Sequence, residues 1–346
     1  MGHRSHPTAT GPPPARQRTA PDRHEPIDID PDIETDQEER MTDPKEATTP
    51  RDPAELVHRS VRANGINFHV VESGPADGEP VLLLHGFPEF WYSWRHQLSA
   101  LAAAGYRVFA PDLRGYNLTD QPHDVASYRT EVLCADVAAL ARALGYDKVT
   151  VCGHDWGGVL TWLLACMPAH RDVLRRVAML NAPHPGLFFK NLSLRQLRRS
   201  WYMLFFQLPG VPERMMSKDG LRNLRRSLRA VAARRDAFSD EDLRRYTEAY
   251  SRPSAFTGPI NYYRAMLRRN PIPFLRSLEP IPREVPALLI WGEQDPALGK
   301  ELTYGTESVA PHLRIEYVAD SGHWVQQEQP EQVSRLLIDF FRQTSV

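Results

Sequence analysis

The chain has 346 residues, of which 42% are hydrophobic and 25% charged, and its formal net charge is -1. These are the proportions of an ordinary globular protein, with no overall excess of positive charge to suggest a nucleic-acid partner. No stretch approaches the roughly 20 apolar residues of a membrane span, and no apolar run near the N-terminus reads as a secretory signal.

The charge is unevenly spread. Residues 1–55 hold seven Lys or Arg against thirteen Asp or Glu, a net of -6 that leaves +5 for the remainder. Ten of the thirty prolines fall in the same stretch. With almost no large apolar residues, it has too little surface to bury to offset the entropy of ordering, so a disordered tail is expected over residues 1–54. Cys134, Cys152 and Cys166 show no metal-type spacing. Reduced core thiols in a cytoplasmic protein are the favoured reading.

From Val57 the pattern alternates strand with helix. Val61 to Glu72 reads as an opening hairpin. Short apolar runs of the kind buried on both faces follow at Pro80–Leu84, Arg107–Ala110, Lys148–Cys152, Val177–Leu180, Ala287–Trp291 and Leu313–Val318. Helical periodicity lies between them at about 95–104, 129–145 and 157–167, and again at 330–343. Such alternation predicts an α/β fold: a mostly parallel sheet with helices on both faces. Between Leu180 and Pro286 the strands stop and Arg, Leu, Tyr and Met recur at helical spacing. That stretch reads as a helical cap inserted above the carboxyl ends of the strands, where open α/β sheets bind ligands. The expected parts are a core over 55–184, a cap over 185–280 and a second core segment over 281–346.

The most informative hexapeptide is Gly153-His154-Asp155-Trp156-Gly157-Gly158, between a predicted strand and a predicted helix. Glycines around a strand-to-helix turn make a nucleophile elbow, with an aspartate where esterases carry serine. A carboxylate with an ordinary pKa of about 3.9 is already an anion at neutral pH, so it attacks a strained sp³ carbon without prior deprotonation. The plainer alternative is that Asp155 caps its helix. Three further fragments end predicted strands: His85-Gly86-Phe87-Pro88-Glu89, Gly292-Glu293-Gln294-Asp295-Pro296 and Ser321-Gly322-His323-Trp324. Their order, Asp155 then Asp295 then His323, is the nucleophile, acid, histidine order of α/β-hydrolases. The amides of Phe87 and Trp156 are placed to form an oxyanion hole.

With these residues in view, 80–180 and 286–343 resemble the α/β-hydrolase fold, and the aspartate elbow narrows the resemblance to epoxide hydrolases and haloalkane dehalogenases. His85 to Gln97 and Asn181-Ala182-Pro183-His184-Pro185 are similar to soluble epoxide hydrolases. So are two cap fragments, Tyr202 to Gly210 and Asn261-Tyr262-Tyr263-Arg264. The resemblance implies that Tyr202 and Tyr263 donate to the epoxide oxygen. Phe87, Pro88 and Trp156 are expected against the substrate. Where some relatives hold their catalytic acid, this chain has Asn181, so Asp295 is taken as the acid. Asp112 and Arg114 are assigned to structure.

The expected activity is conversion of an epoxide and water to a vicinal diol through an ester on Asp155. His323, oriented by Asp295, would activate the hydrolytic water. No metal or organic cofactor is called for. A haloalkane or haloacid dehalogenase would share the triad without needing both tyrosines, and a non-catalytic ligand-binding protein on the same fold is the rival from another class. The oligomeric state, homodimer included, stays open. Arg222, Arg225, Arg226, Arg229, Arg234 and Arg235 form a basic run in the cap, read as a solvated helical face.

Overall fold

The structure, a computed structural model, describes residues 56–343; the expected acidic tail lies outside them. The chain opens on a hairpin of β1 (Val57–Ala63) and β2 (Ile66–Ser73). Its turn is Asn64-Gly65, both at positive φ, as a two-residue hairpin turn matching the strand twist requires. Then come β3 (Glu79–Leu84), α1 (Arg95–Ala103), β4 (Tyr106–Pro111), α2 (Thr130–Ala143), β5 (Val149–His154), α3 (Trp156–Cys166) and β6 (Leu174–Leu180). After the inserted helices the core resumes with β7 (Ala287–Gly292) and β8 (Arg314–Val318). In chain order the helices not yet named are α4 (Pro185–Lys190), α5 (Leu194–Arg199), α6 (Trp201–Phe205), α7 (Val211–Ser217), α8 (Arg222–Val231), α9 (Asp240–Tyr250), α10 (Thr257–Leu267), α11 (Ile272–Arg276), α12 (Val325–Glu328) and α13 (Pro330–Phe341).

The sheet has eight strands in the order β1-β2-β4-β3-β5-β6-β7-β8, antiparallel from β1 to β4 and parallel from β4 onward. Every residue of β5 and of β7 is buried, as expected of strands covered by helices on both faces. Register aligns the strand ends: Leu84 lies beside Gly153, His154 beside Leu180, Leu180 beside Ile290, and Gly292 beside Val318. The loops that follow β3, β5, β6, β7 and β8 therefore leave the sheet at one level, and side chains distant in sequence meet there.

No strand occurs between β6 and β7 among the described residues; α4 to α11 occupy the interval. Prolines in the first turns of α4, α7 and α11 start helices. The capping box of Ser239 and Asp242 starts α9. The inserted helices are hydrogen-bonded to the core: the Tyr262 hydroxyl donates to the Arg114 carbonyl at 2.9 Å and Trp324 Nε1 donates to the Leu228 carbonyl at 3.0 Å. No helix of the described residues is long and apolar enough to cross a membrane.

Candidate active site

Asp155 sits between β5 and α3 at φ 47° and ψ -116°, a conformation a non-glycine residue adopts only under constraint. The constraint is close packing of the turn. A Cβ on Gly157 would lie 2.1 Å from the Leu84 carbonyl oxygen, so only glycine lets the first turn of α3 approach β3. Asp155 occupies the cap position of α3, yet its side chain makes no capping bond. Its Oδ1 instead accepts a hydrogen bond from the Phe87 amide at 2.9 Å, and its Oδ2 faces His323 Nε2 at 3.7 Å. The helix-cap alternative therefore does not describe this side chain.

His323 and Asp295 complete the constellation. His323 Nδ1 donates to Asp295 Oδ2 at 2.7 Å, which turns Nε2 toward Asp155. Asp295 is fully occupied: its Oδ1 accepts from the amides of Ala297 and Leu298 at 2.7 and 2.8 Å, and its Oδ2 also accepts from Asn181 Nδ2 at 2.8 Å. Asn181 is wholly buried, stands at φ 41°, and takes the Gly292 amide on its Oδ1 at 2.9 Å. It thus fixes the acid in place from the end of β6. Sequence reasoning had used it only to exclude a carboxylate there.

A second missed pair lies beneath the triad. His154 and Glu89 are both fully buried; His154 Nδ1 meets Glu89 Oε2 at 2.7 Å, and its Nε2 meets the His323 carbonyl oxygen at 2.8 Å. The Gly86 amide donates to the same Glu89 oxygen at 2.9 Å, while Gln326 and Gln327 donate to the other. One buried carboxylate thereby fixes both the turn carrying Phe87 and, through His154, the backbone of His323. Both residues lay inside the quoted motifs, but they are 65 positions apart, His323 is 169 positions from His154, and nothing local in the sequence marks these links.

The electrostatics follow from burial and pairing. For Asp155, burial is the largest influence and raises the carboxyl above its ordinary value, against the pull of His323, His154 and the amides of Phe87 and Trp156. Burial alone would depress His323, but the carboxylates of Asp295, Asp155 and Glu89 outweigh it and lift the imidazole to about 9. Asp295 is held below the usual range: burial opposes its charge, and the His323 charge and hydrogen bonds prevail. The resting site is an imidazolium between two carboxylates.

Tyr202 on α6 and Tyr263 on α10 face this site from the cap, with ring centroids 5.8 Å apart. Burial first, and then the Asp155 charge among others, holds both phenols well above their ordinary pKa, so both remain O–H donors. Tyr263 packs edge-on against Trp156 at 5.1 Å and against Phe87 at 5.5 Å. Asp155, Trp156, Tyr202 and Tyr263 border one cavity of about 70 Å³, closed by apolar groups including Phe188, Met203 and Met266. Phe87 and Pro88 are not on its walls: Pro88 is buried, and the Phe87 ring is turned against Phe206 and Tyr263. Among the described residues no group of three or more His, Cys, Asp or Glu is placed to hold a metal ion.

Residues 79–330 match the family model described as alpha/beta hydrolase fold. The chain is 36% identical over 293 residues to epoxide hydrolase 2 of Caenorhabditis elegans, covering 83% of this chain and 81% of that protein. It is 37% identical over 284 residues to AB hydrolase superfamily protein YfhM of Bacillus subtilis, covering 82% and 96%. Among solved structures, epoxide hydrolase A from Mycobacterium thermoresistibile superposes with a TM-score of 0.73 at 33% identity, covering 83% of this chain and 98% of that one.

Proposed function

The chain belongs to the α/β-hydrolase family and within it to the epoxide hydrolases, and from that membership we propose that it converts an epoxide and water to a vicinal diol through an ester on Asp155. The observation that carries the mechanism is the orientation of Asp155, one oxygen held by the Phe87 amide and the other free toward the cavity and His323.

Asp155 Oδ2 attacks an epoxide carbon, the carbon–oxygen bond breaks, and its electron pair passes to the ring oxygen. That oxygen accepts hydrogen bonds from Tyr202 and Tyr263 and takes a proton from one of them, stabilising charge that appears only as the ring opens. The ester has no negative charge, so His323 loses one of the carboxylates that raised its pKa and releases its proton through solvent to the tyrosinate. Neutral His323 then takes a proton from water as the water oxygen bonds to Asp155 Cγ. The oxyanion forms on Oδ1, which the Phe87 amide already meets at 2.9 Å. Collapse expels the diol oxygen, which takes the proton of the new carboxyl group, and the imidazolium–carboxylate pair is restored.

This reading takes residues 185–280 as the cap, supported by helices that run from Pro185 to Arg276. It places the protein in the cytoplasm, supported by three buried, unpaired cysteines. The test is one turnover in ¹⁸O-water with enzyme in excess. Water attacks the acyl carbon, so the label should enter Asp155 and the first diol should be unlabelled. Label in the first diol would mean direct attack of water on the epoxide and would remove the ester from the mechanism.

A further inference from the structure

The cap arginines are largely exposed, as their sequence pattern suggests, but their charges are not balanced within the helix. Arg222, Arg225, Arg226 and Arg229 fall at helical spacing on one side of α8. With Arg235 and Arg244 they surround a cleft of about 880 Å³ in which Asp240 is the acidic lining residue. None of these residues borders the Asp155 cavity.

The exposed face of α9 neutralises its own charges. There Arg244 pairs with Glu241 and Glu248, and Arg245 with Glu241. On α8 Arg229 has Asp240 at 2.7 Å, but the guanidinium groups of Arg222, Arg225, Arg226 and Arg235 have no hydrogen bond or ion pair among the described residues. Like charges three and four apart weaken a helix, and the first turn of α8 has no acid to offset a cation at its positive end. Concave walls concentrate the field of such charges.

The cleft is also built rather than loose. Leu224 and Leu228 anchor the underside of α8 in the core, fully buried, and the Leu228 carbonyl accepts Trp324 Nε1 at 3.0 Å. The amides of Ala233 and Arg234, just before Arg235, donate to Glu328 Oε2 at 2.9 and 3.1 Å. The backbone beneath the arginines is therefore fixed in advance of any ligand, which lowers the ordering cost of binding one.

We propose that this cleft binds a ligand bearing clustered phosphate groups. Guanidinium forks match phosphate oxygens two at a time. Four cations without a partner among the described residues call for several negative charges on one molecule, which a monocarboxylate does not supply. A soluble polyphosphate and a polyphosphorylated lipid headgroup share this chemistry.

The test uses the full chain. Calorimetry with inositol hexakisphosphate and with inorganic triphosphate, at about 0.15 M salt, reads the soluble source. Sedimentation with phosphatidylcholine vesicles, with and without a bisphosphorylated phosphoinositide, reads the headgroup. Binding of at least one probe at about 10 µM or tighter is expected. The double change Arg225→Ala with Arg226→Ala should weaken it about tenfold or more, the loss of two charge-assisted contacts. Arg195→Ala with Arg198→Ala, two exposed arginines on α5 outside the cleft, should leave it within about twofold. Arg235→Ala, outside the α-helices, should also weaken binding and guards against misfolding of the α8 pair. Binding of the soluble probes, or of the phosphoinositide vesicles alone, supports the site and identifies its source. No binding of any probe at about 1 mM, or equal losses in the α5 and α8 pairs, overturns it.

Discussion

Removing the two phenols tests the step that distinguishes this chemistry from its neighbours. Tyr202→Phe and Tyr263→Phe each delete one hydroxyl and keep the ring, so the packing of Tyr263 on Trp156, Phe87 and Phe206, with centroids 5.1, 5.5 and 5.0 Å apart, is retained. A preorganised donor to a developing oxyanion in a site without bulk water contributes about 10²–10³ in rate, roughly 3–4 kcal/mol. Each single variant should therefore alkylate Asp155 about 10²-fold more slowly, with substrate binding changed little. The phenols are close enough to interact, and in each single variant the remaining hydroxyl still serves the oxygen, so the double variant should lose more than the product of the two, beyond about 10⁴-fold. The assay is single-turnover quenched flow with enzyme in excess over an aryl epoxide, and circular dichroism confirms the fold of each variant. A double variant within about tenfold of the parent would make the tyrosines packing residues. Halide release from chloroalkanes by that same variant would favour a dehalogenase.

Other outcomes follow from the same geometry. In His323→Gln, Asp155 should still be alkylated while hydrolysis slows by about 10²–10⁴; intact mass after epoxide addition should show the adduct, and its absence with binding intact would remove Asp155 as nucleophile. His323 has its pKa raised from about 6.5 to about 9 on folding, so its contribution to stability is complete below pH 6.5 and lost as pH rises through 9, on the order of 3 kcal/mol. Melting of the parent from pH 6 to 10 should show that loss, and melting of His323→Gln should not. Alkylation should fail on the acid side at a pH above the ordinary carboxylate value, because burial raises Asp155; a single-turnover profile flat down to pH 4 would contradict that. Gly157→Ala places a Cβ 2.1 Å from the Leu84 carbonyl oxygen and should cost about 3 kcal/mol or more in denaturant melts.

The parts of this fold that were legible in the sequence are those whose cause is local. Pro80–Leu84 and Ala287–Trp291 are apolar on every position, which marks strands covered on both sides, and the structure places β3 and β7 there to within a residue or two. The opening hairpin expected over Val61 to Glu72 is present, and the structure places its turn at Asn64-Gly65, both at positive φ. The cap was legible only as helical: where α5 gives way to α6 at Ser200, or α7 to α8 around Gly220, depends on what each short helix packs against. The supporting polar groups were the least legible. Asn181 and Asp295 are 114 positions apart, and Gln327 and Glu89 are 238 apart. Such bonds exist because parallel register brings strand ends to one level, and no local pattern encodes a partner at that separation.

The site uses one charge for two purposes. While Asp155 is a carboxylate, it helps hold His323 protonated, so the base needed for the second step is unavailable during the first. Bond formation to the epoxide removes that charge, and the histidine loses one support for its proton at the moment a tyrosinate needs one. Asp295 cannot supply the same control, because its oxygens are bound by two amides, Asn181 and His323 and take no part in bond making. On the proposed mechanism, then, electrostatics frees the base for the second step only once the ester has formed. It follows that Asp155→Asn, which is neutral from the outset, should lower the His323 pKa below that of the parent even with no substrate present. Imidazole titration by NMR reads this directly, with His323→Gln identifying the resonance. A His323 pKa unchanged in Asp155→Asn would show that Asp295 and Glu89 alone set it, and the proposed timing would fall.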